Sequence, residues 1–200
     1  MRKPAYTRLP TDERRAQLLE LAERLFTTHT YGELSMARIA REAGISKALL
    51  YHYFPSKQAF FQATLQEAVD DLVARTQPDE TLPPVAQLSA SLEAYLDWVD
   101  AHTGAYGKLM RTAMEEEWVR ELVDGVRHAT AARILAGITP PGGTLPPAAR
   151  TAVRSWLWFM DGACLDWIEH RDLDRQELLG LLLGTLAGAL TAAGVELSAE

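Results

Sequence analysis

Apolar residues recur along this chain three and four positions apart and nowhere alternate over the length of a strand, so the pattern predicts helices and no sheet. Leu18, Leu21, Ala22, Leu25 and Phe26 form one stripe and predict a first helix over 11–28. Thr11 is placed to cap it, and Asp12 and Glu13 suit the positive end of its dipole. After a turn at Gly32, Ser35 marks a second start, because its hydroxyl can accept from a free backbone N–H of the first turn. Ile39, Ala40 and Ala43 follow at helical spacing, and Gly44 supplies the left-handed conformation that ends a helix. Ile45 is placed to fill the corner. Ser46 then caps a short helix over 47–54, in which Leu50 and Phe54 face inward, and Pro55 stops it. Ser56 caps a long helix to about residue 75, with Phe60, Phe61, Leu65, Val69 and Leu72 on its core side.

The remainder is also helical. Residues 77–84 (Gln-Pro-Asp-Glu-Thr-Leu-Pro-Pro) read as a loop. A helix over 85–101 has Leu88, Leu92, Tyr95, Leu96 and Val99 inside, and His102-Thr103-Gly104 breaks it. A short helix over 105–114 and a longer one over 115–138, bent near Gly125, lead to the strongest breaker, 139–147 (Thr-Pro-Pro-Gly-Gly-Thr-Leu-Pro-Pro). Helices over 148–170 and 176–193 close the chain. The expectation is an all-α protein of about nine helices, without internal repeats, in two parts: a head over 1–57 and a larger helical domain over 58–200.

The segment Leu178–Val195 holds no charge and spaces Gly180, Gly184 and Gly188 four apart. That resembles a membrane helix that dimerises. Its four glycines, its minimal length and the acidic Glu196 and Glu200 after it favour a buried helix with glycines at a close backbone approach. One subunit alone would struggle to cover so apolar a helix, so a partner subunit is expected to cover it.

Two short helices joined by a glycine-containing turn make a helix-turn-helix. With Leu50 and Phe54 inside, Lys47, Ala48, Leu49, Tyr51, His52 and Tyr53 are left wholly or partly outside. A phenol can donate to a phosphate, a lysine neutralises one, and Ala48 and Leu49 can touch a thymine methyl in the major groove. Gly44-Ile-Ser-Lys-Ala-Leu-Leu-Tyr-His-Tyr-Phe-Pro-Ser-Lys57 resembles the signature of the TetR family of bacterial transcriptional regulators, strongly over about residues 15–65. The resemblance implies that Ser35 and Ser46 start the two helices of the motif, with Ser35 on a phosphate. It places Lys47, Ala48 and Leu49 at the start of the recognition helix, puts Tyr51 and Tyr53 on the backbone or nearby base edges with His52 between them, and has Lys57 holding a phosphate. Ala48-Leu49 departs from the family pattern, where many members have Gly or Pro and then a small or hydroxylated residue. Leu49 cannot donate a hydrogen bond, so base preference there is expected to be apolar. The resemblance also implies a homodimer formed by the last two helices (about 148–193).

The net charge of −7 alone would argue against nucleic acid, but its distribution reverses the argument. Residues 1–60 hold ten Lys and Arg against six acids, and 61–200 hold the other ten against twenty-one. The basic start (Met-Arg-Lys-Pro-Ala-Tyr-Thr-Arg) is expected to be an arm able to follow the minor groove, and no apolar run of a signal peptide follows it. Cys164 is the one cysteine, which excludes an intramolecular disulfide and fits a cytoplasmic location.

The larger domain is expected to hold a small molecule. Tyr95, Trp98, Tyr106, Met110 and Met114 are candidate lining residues, with Trp118, Trp156, Phe159, Met160 and Trp167 from later helices. Any one of them is as well explained as core; as a set they suggest a chamber for an apolar or aromatic ligand. Among the acids Asp97, Asp100, Glu115, Glu116, Asp161 and Asp166, apolar neighbours single out Asp161 and Asp166. The Asp166–His170 spacing is better explained by an ion pair than by a metal, Cys164 by packing than by catalysis, and Gly142-Gly143 by a turn. No cofactor, metal or enzymatic activity is expected. The resulting reading is a dimeric repressor that binds a palindromic double-stranded DNA operator and is released by a small molecule. The alternatives are a helical ligand-binding or enzymatic protein with a relic helix-turn-helix, and a membrane-anchored sensor.

Overall fold

The computed structural model describes residues 11–140 and 142–195. The N-terminal arm, the side chains of Thr11 and Asp12, Pro141 of the 139–147 breaker, and Glu196 and Glu200 lie outside the described residues. Among the described residues the chain is all-α, with nine helices: α1 (Thr11–Thr28), α2 (Met36–Glu42), α3 (Lys47–Tyr53), α4 (Lys57–Arg75), α5 (Pro84–Ala101), α6 (Thr103–Glu115), α7 (Glu117–Ile138), α8 (Pro147–His170) and α9 (Arg175–Ala192). They divide into two compact units, one ending at Ala68 and the other beginning at Val69.

The first unit is built on aromatic contacts. Phe61 meets Phe26 of α1 edge-on with ring centroids 4.3 Å apart, and Phe60 meets Phe54 at 5.0 Å. These contacts place the first half of α4 in the core of the first unit, which is why the division falls inside that helix. α1 adds Leu18, Leu19, Ala22, Leu25 and Phe26, and α2 adds Met36, Ile39 and Ala40.

The turn between α2 and α3 follows from its residues. Gly44 has φ +65°, the Gly44 N–H donates to the Arg41 carbonyl, and the Ile45 N–H donates to the Ala40 carbonyl. This pair of bonds is the Schellman ending of a helix. A Cβ at Gly44 would meet nothing within 4 Å, so the demand for glycine comes from the backbone alone, and an L side chain would cost about 1–2 kcal/mol there.

In the second unit α8 packs against α5, α6, α7 and α9. α9 opens with a capping box, in which Asp174 accepts from the Glu177 N–H and Glu177 accepts from the Asp174 N–H. It buries Leu178, Leu179, Leu182, Leu186 and Leu190, and Trp156 of α8 donates its indole N–H to the Leu182 carbonyl at 2.9 Å. A Cβ at Gly180, Gly184 or Gly188 would meet nothing within 4 Å, so among the described residues of one chain no other backbone packs closely on these glycines. No helix among the described residues is long and apolar enough to cross a membrane.

Most helix ends fall within one residue of the sequence pattern, and the breaks on either side of α6 differ from it. The expected three-residue break at 102–104 is a single residue, His102, and Gly104 lies inside α6. Glu116, expected to be helical, is extended (φ −112°, ψ 115°) and separates α6 from α7. A run of three glutamates contains no breaker residue, so its composition gives no sign of the interruption.

A buried ionic network joins four helices. Asp161 of α8 accepts from the Tyr106 hydroxyl at 2.9 Å and from the Tyr95 hydroxyl at 3.3 Å on Oδ1. Its Oδ2 accepts from Arg127 Nε and Nη2, each at 2.7 Å. Arg127 Nη1 reaches Asp124, and the guanidinium lies over the Trp158 ring, 3.9 Å from its centroid. Removing Asp161 leaves Arg127 with Asp124 alone and deprives the Tyr95 and Tyr106 hydroxyls of their acceptor in a poorly solvated site. Asp161→Ala is therefore expected to lower stability by about 3–5 kcal/mol in urea unfolding, whereas Asp166→Ala, on the exposed side of the same helix, is expected to change it by less than about 1 kcal/mol.

Candidate nucleic-acid interface

α3 has seven residues, too few for a helix to persist without tertiary packing. Its start is fixed by Ser46, whose hydroxyl accepts from the Leu49 N–H at 3.1 Å. The preceding α2 is capped in the same way, with Ser35 accepting from the Arg38 N–H at 3.2 Å. Leu50 and Phe54 are buried, 0% and 3% exposed, and fix the rotation of α3 about its axis. The consequence is that Lys47, Ala48, Tyr51 and His52 are exposed, and Leu49 and Tyr53 are half-buried.

That outer face has its own order. The Lys47 ammonium stands 5.6 Å from the centroid of the Tyr51 ring one turn on, and His52 meets Tyr53 edge-on at 5.5 Å. A cation, two phenols and an imidazole thus occupy one side of a two-turn helix, with Ala48 and Leu49 between them near its N-terminal end. These groups match phosphate oxygens and base edges in donor type, and no carboxylate interrupts the helix.

Lys57, at the start of α4, is not a free arm. Its ammonium donates to the Tyr31 carbonyl at 2.8 Å and lies 3.9 Å from the centroid of the Tyr31 ring. Two N–H groups of the ammonium remain after that bond. A second contact that sequence spacing does not signal joins His29, just after α1, to Arg38 in α2, with Nε2 and Nη2 2.6 Å apart.

The candidate ligand residues of the second unit are distributed rather than gathered. Tyr95 and Tyr106 come together, their hydroxyls 2.8 Å apart on Asp161, and burial pushes both phenols well above their ordinary pKa. Trp98, Trp156, Met160 and Trp167 are buried, and Met110 and Trp118 are half-buried. The indoles of Trp98 and Trp167 are committed to Asp71 and to the Leu173 carbonyl. Phe159 is exposed, and Met114, at the end of α6, is 82% exposed. An open, mostly apolar cleft of about 460 Å³ lies between the start of α5 and α9, lined by Pro83, Val85, Ala86, Ser89, Ala90, Glu93 and Leu183, none of which is among the ten candidates. Cys164 is buried, and burial pushes its thiol up to about 12, so it is neutral and packed. Asp166 stays exposed and pairs with His170 at 3.4 Å, and among the described residues no cluster of three metal-ligating side chains occurs.

Comparison with known proteins gives these features a context. The family model described as "Bacterial regulatory proteins, tetR family" matches residues 18–64, and "Tetracyclin repressor-like, C-terminal domain" matches residues 84–188. The HTH-type transcriptional activator FasR of Mycolicibacterium smegmatis is 38% identical over 116 residues, which cover 57% of this chain and 51% of that protein. The HTH-type transcriptional regulator EthR of the same organism is 32% identical over 98 residues, covering 46% and 43%. The chain thus spans about half the length of these curated relatives. A solved tetR-family transcriptional regulator from Streptomyces coelicolor is 35% identical with a TM-score of 0.79, covering 93% of this chain and 84% of that one. Salmonella enterica GusR, 22% identical with a TM-score of 0.71 over 92% of this chain and 98% of its own, shares the fold. With a helix-turn-helix presenting a cationic, phenolic face and with both of its parts matched, the chain belongs to the TetR family of DNA-binding transcriptional regulators.

Proposed function

We propose that this regulator binds a palindromic operator as a homodimer, represses by occupying it, and is released by a small apolar or aromatic ligand. The observation that carries the DNA part of this reading is the outward rotation of α3 by Leu50 and Phe54. On this reading Lys47, Tyr51, Tyr53 and Lys57 hold phosphates, Ser35 and Ser46 orient the two helix starts, His52 adds a contact at the groove edge, and Ala48 and Leu49 meet bases. Lys57 uses the two N–H groups not engaged by the Tyr31 carbonyl.

The homodimer rests on the outer surfaces of α8 and α9. Phe159 and Leu181 are exposed there, and Gly180, Gly184 and Gly188 leave open space beside them. A two-fold axis through these helices gives the dimer two recognition helices. Two such helices suit half-sites about 34–36 Å apart, one turn of the duplex. Repression needs no surface beyond these two, since occupancy of the operator is enough, whereas activation needs a further contact with the transcription machinery. A reporter under the bound promoter decides between them.

Release is supported by the Tyr- and Trp-rich interior of the second unit and by the ionic network at its centre. A ligand that favours a dimer with wrongly spaced heads lowers DNA affinity, and the coupling is reciprocal, so operator DNA weakens ligand binding by the same factor.

In band-shift titrations a palindrome is expected to bind two protomers at least ten times more tightly than its isolated half-site. Equal affinity at one protomer per half-site contradicts the dimer. Tyr51→Ala is expected to weaken binding about equally across operator variants, while Leu49→Ala changes the ranking of variants at one position by about 1–3 kcal/mol per half-site; a selection from random duplexes reads both.

A further inference from the structure

We propose that His29 and Arg38 form a proton-linked phosphate clamp beside the recognition helix: when a duplex binds, Arg38 turns its guanidinium to a phosphodiester oxygen and His29 takes up one proton from solvent. The inference rests on the first unit being the part that meets DNA.

The contact between the two residues has an unusual composition. A guanidinium has only donors, so an approach of 2.6 Å between Arg38 Nη2 and His29 Nε2 requires an unprotonated Nε2 that accepts. The other ring nitrogen agrees. Thr28 donates its hydroxyl proton to the Arg24 or Leu25 carbonyl, so its oxygen is left to accept from His29 Nδ1 at 2.8 Å. In this arrangement Nε2 is the ring's acceptor and Nδ1 its donor. Arg38 Nε is buried and has no hydrogen-bond partner. The guanidinium therefore leaves one donor unused and gives another to an imidazole, whereas a phosphodiester would accept two in the fork geometry that guanidinium favours.

The groups around the pair leave this position open to an anion. Glu33, in the loop before α2, hydrogen-bonds the Thr30 N–H at 2.7 Å and the Thr30 hydroxyl at 3.0 Å; those two bonds, with smaller attractions from His29 and Arg38, hold its carboxyl below the usual range, and its oxygens are directed to Thr30 rather than to the guanidinium. From α1 the pair meets the Thr28 hydroxyl; on α2 the Ser35 hydroxyl takes the Arg38 backbone N–H; and Lys57 of α4 is held on the Tyr31 carbonyl. Protonating His29 with Arg38 in place would set N–H against N–H and two cations side by side. A phosphate removes that conflict by drawing Arg38 away and compensating the imidazolium, so proton and phosphate bind together.

The direction follows by linkage. DNA raises the proton affinity of His29, so the added affinity is full at acidic pH and is lost as pH rises through the titration of His29 in the complex.

The test uses the full chain and a mixed-sequence duplex of about three helical turns, titrated calorimetrically at fixed ionic strength in two buffers of different ionisation enthalpy. Uptake of about one proton per head is expected, with the association constant falling up to tenfold per pH unit as pH rises. His29→Gln, which can still accept from Arg38, is expected to abolish that uptake with an unchanged melting temperature. His170→Gln, on α8 in the second unit, is expected to retain it. Arg38→Gln, read independently, is expected to reduce the salt slope by about one per head. Wild-type uptake persisting in His29→Gln, or an unchanged salt slope in Arg38→Gln, overturns the clamp while leaving DNA binding intact. Absence of duplex binding at every pH overturns the DNA reading along with it.

Discussion

The arrangement of the first unit depends on the burial of Leu50 and Phe54. A seven-residue helix has no stability of its own, and these two side chains, set into the aromatic core of Phe26, Phe60 and Phe61, fix both the existence of α3 and its rotation. Arg15 of α1, whose guanidinium lies 5.6 Å from the centroid of the Phe54 ring, covers the same anchor. With the inner side committed, Lys47, Tyr51 and His52 have no position except outward. The exposed face proposed to meet DNA is the remainder of a packing problem solved on the other side of the helix, and the turn at Gly44 and the caps at Ser35 and Ser46 serve the same placement.

The second unit is held differently. Its centre contains a carboxylate, a guanidinium and two phenols whose hydrogen bonds are made to one another across α5, α6, α7 and α8. Desolvation makes such a group costly unless complete, so it specifies one arrangement of these helices more than it adds stability. Arg127 also carries the network to Trp158, which is exposed on α8. The interior thereby reaches a surface next to the one on which the homodimer is proposed to form.

The helices and the outward face of α3 were legible from local chemistry. Serine caps marked the starts of α2, α3 and α4, glycine and proline marked the ends of α2 and α3, and the spacing of Leu50 and Phe54 set the rotation of α3. Contacts between residues far apart in sequence were not legible. Asp161 stood out for its apolar neighbours, but Arg127 lies on a different helix, and only the fold brings the two together. Likewise the tethering of Lys57 to the Tyr31 carbonyl and the His29–Arg38 contact carry no periodic signal. The aromatic and methionine residues of the second unit show the limit of composition. Met114 stands exposed although its spacing resembles that of buried neighbours, and the buried Trp167 is tied to a main-chain carbonyl.

Hydroxyl-radical footprinting of the protein with and without operator DNA tests the central claim, that the face opposite Leu50 and Phe54 enters the duplex, most directly. The account predicts strong protection of Tyr51, His52 and Tyr53 on DNA binding, with Trp158 and Met114 as reactive as before. Unchanged reactivity of all three α3 residues in a saturated complex would contradict it.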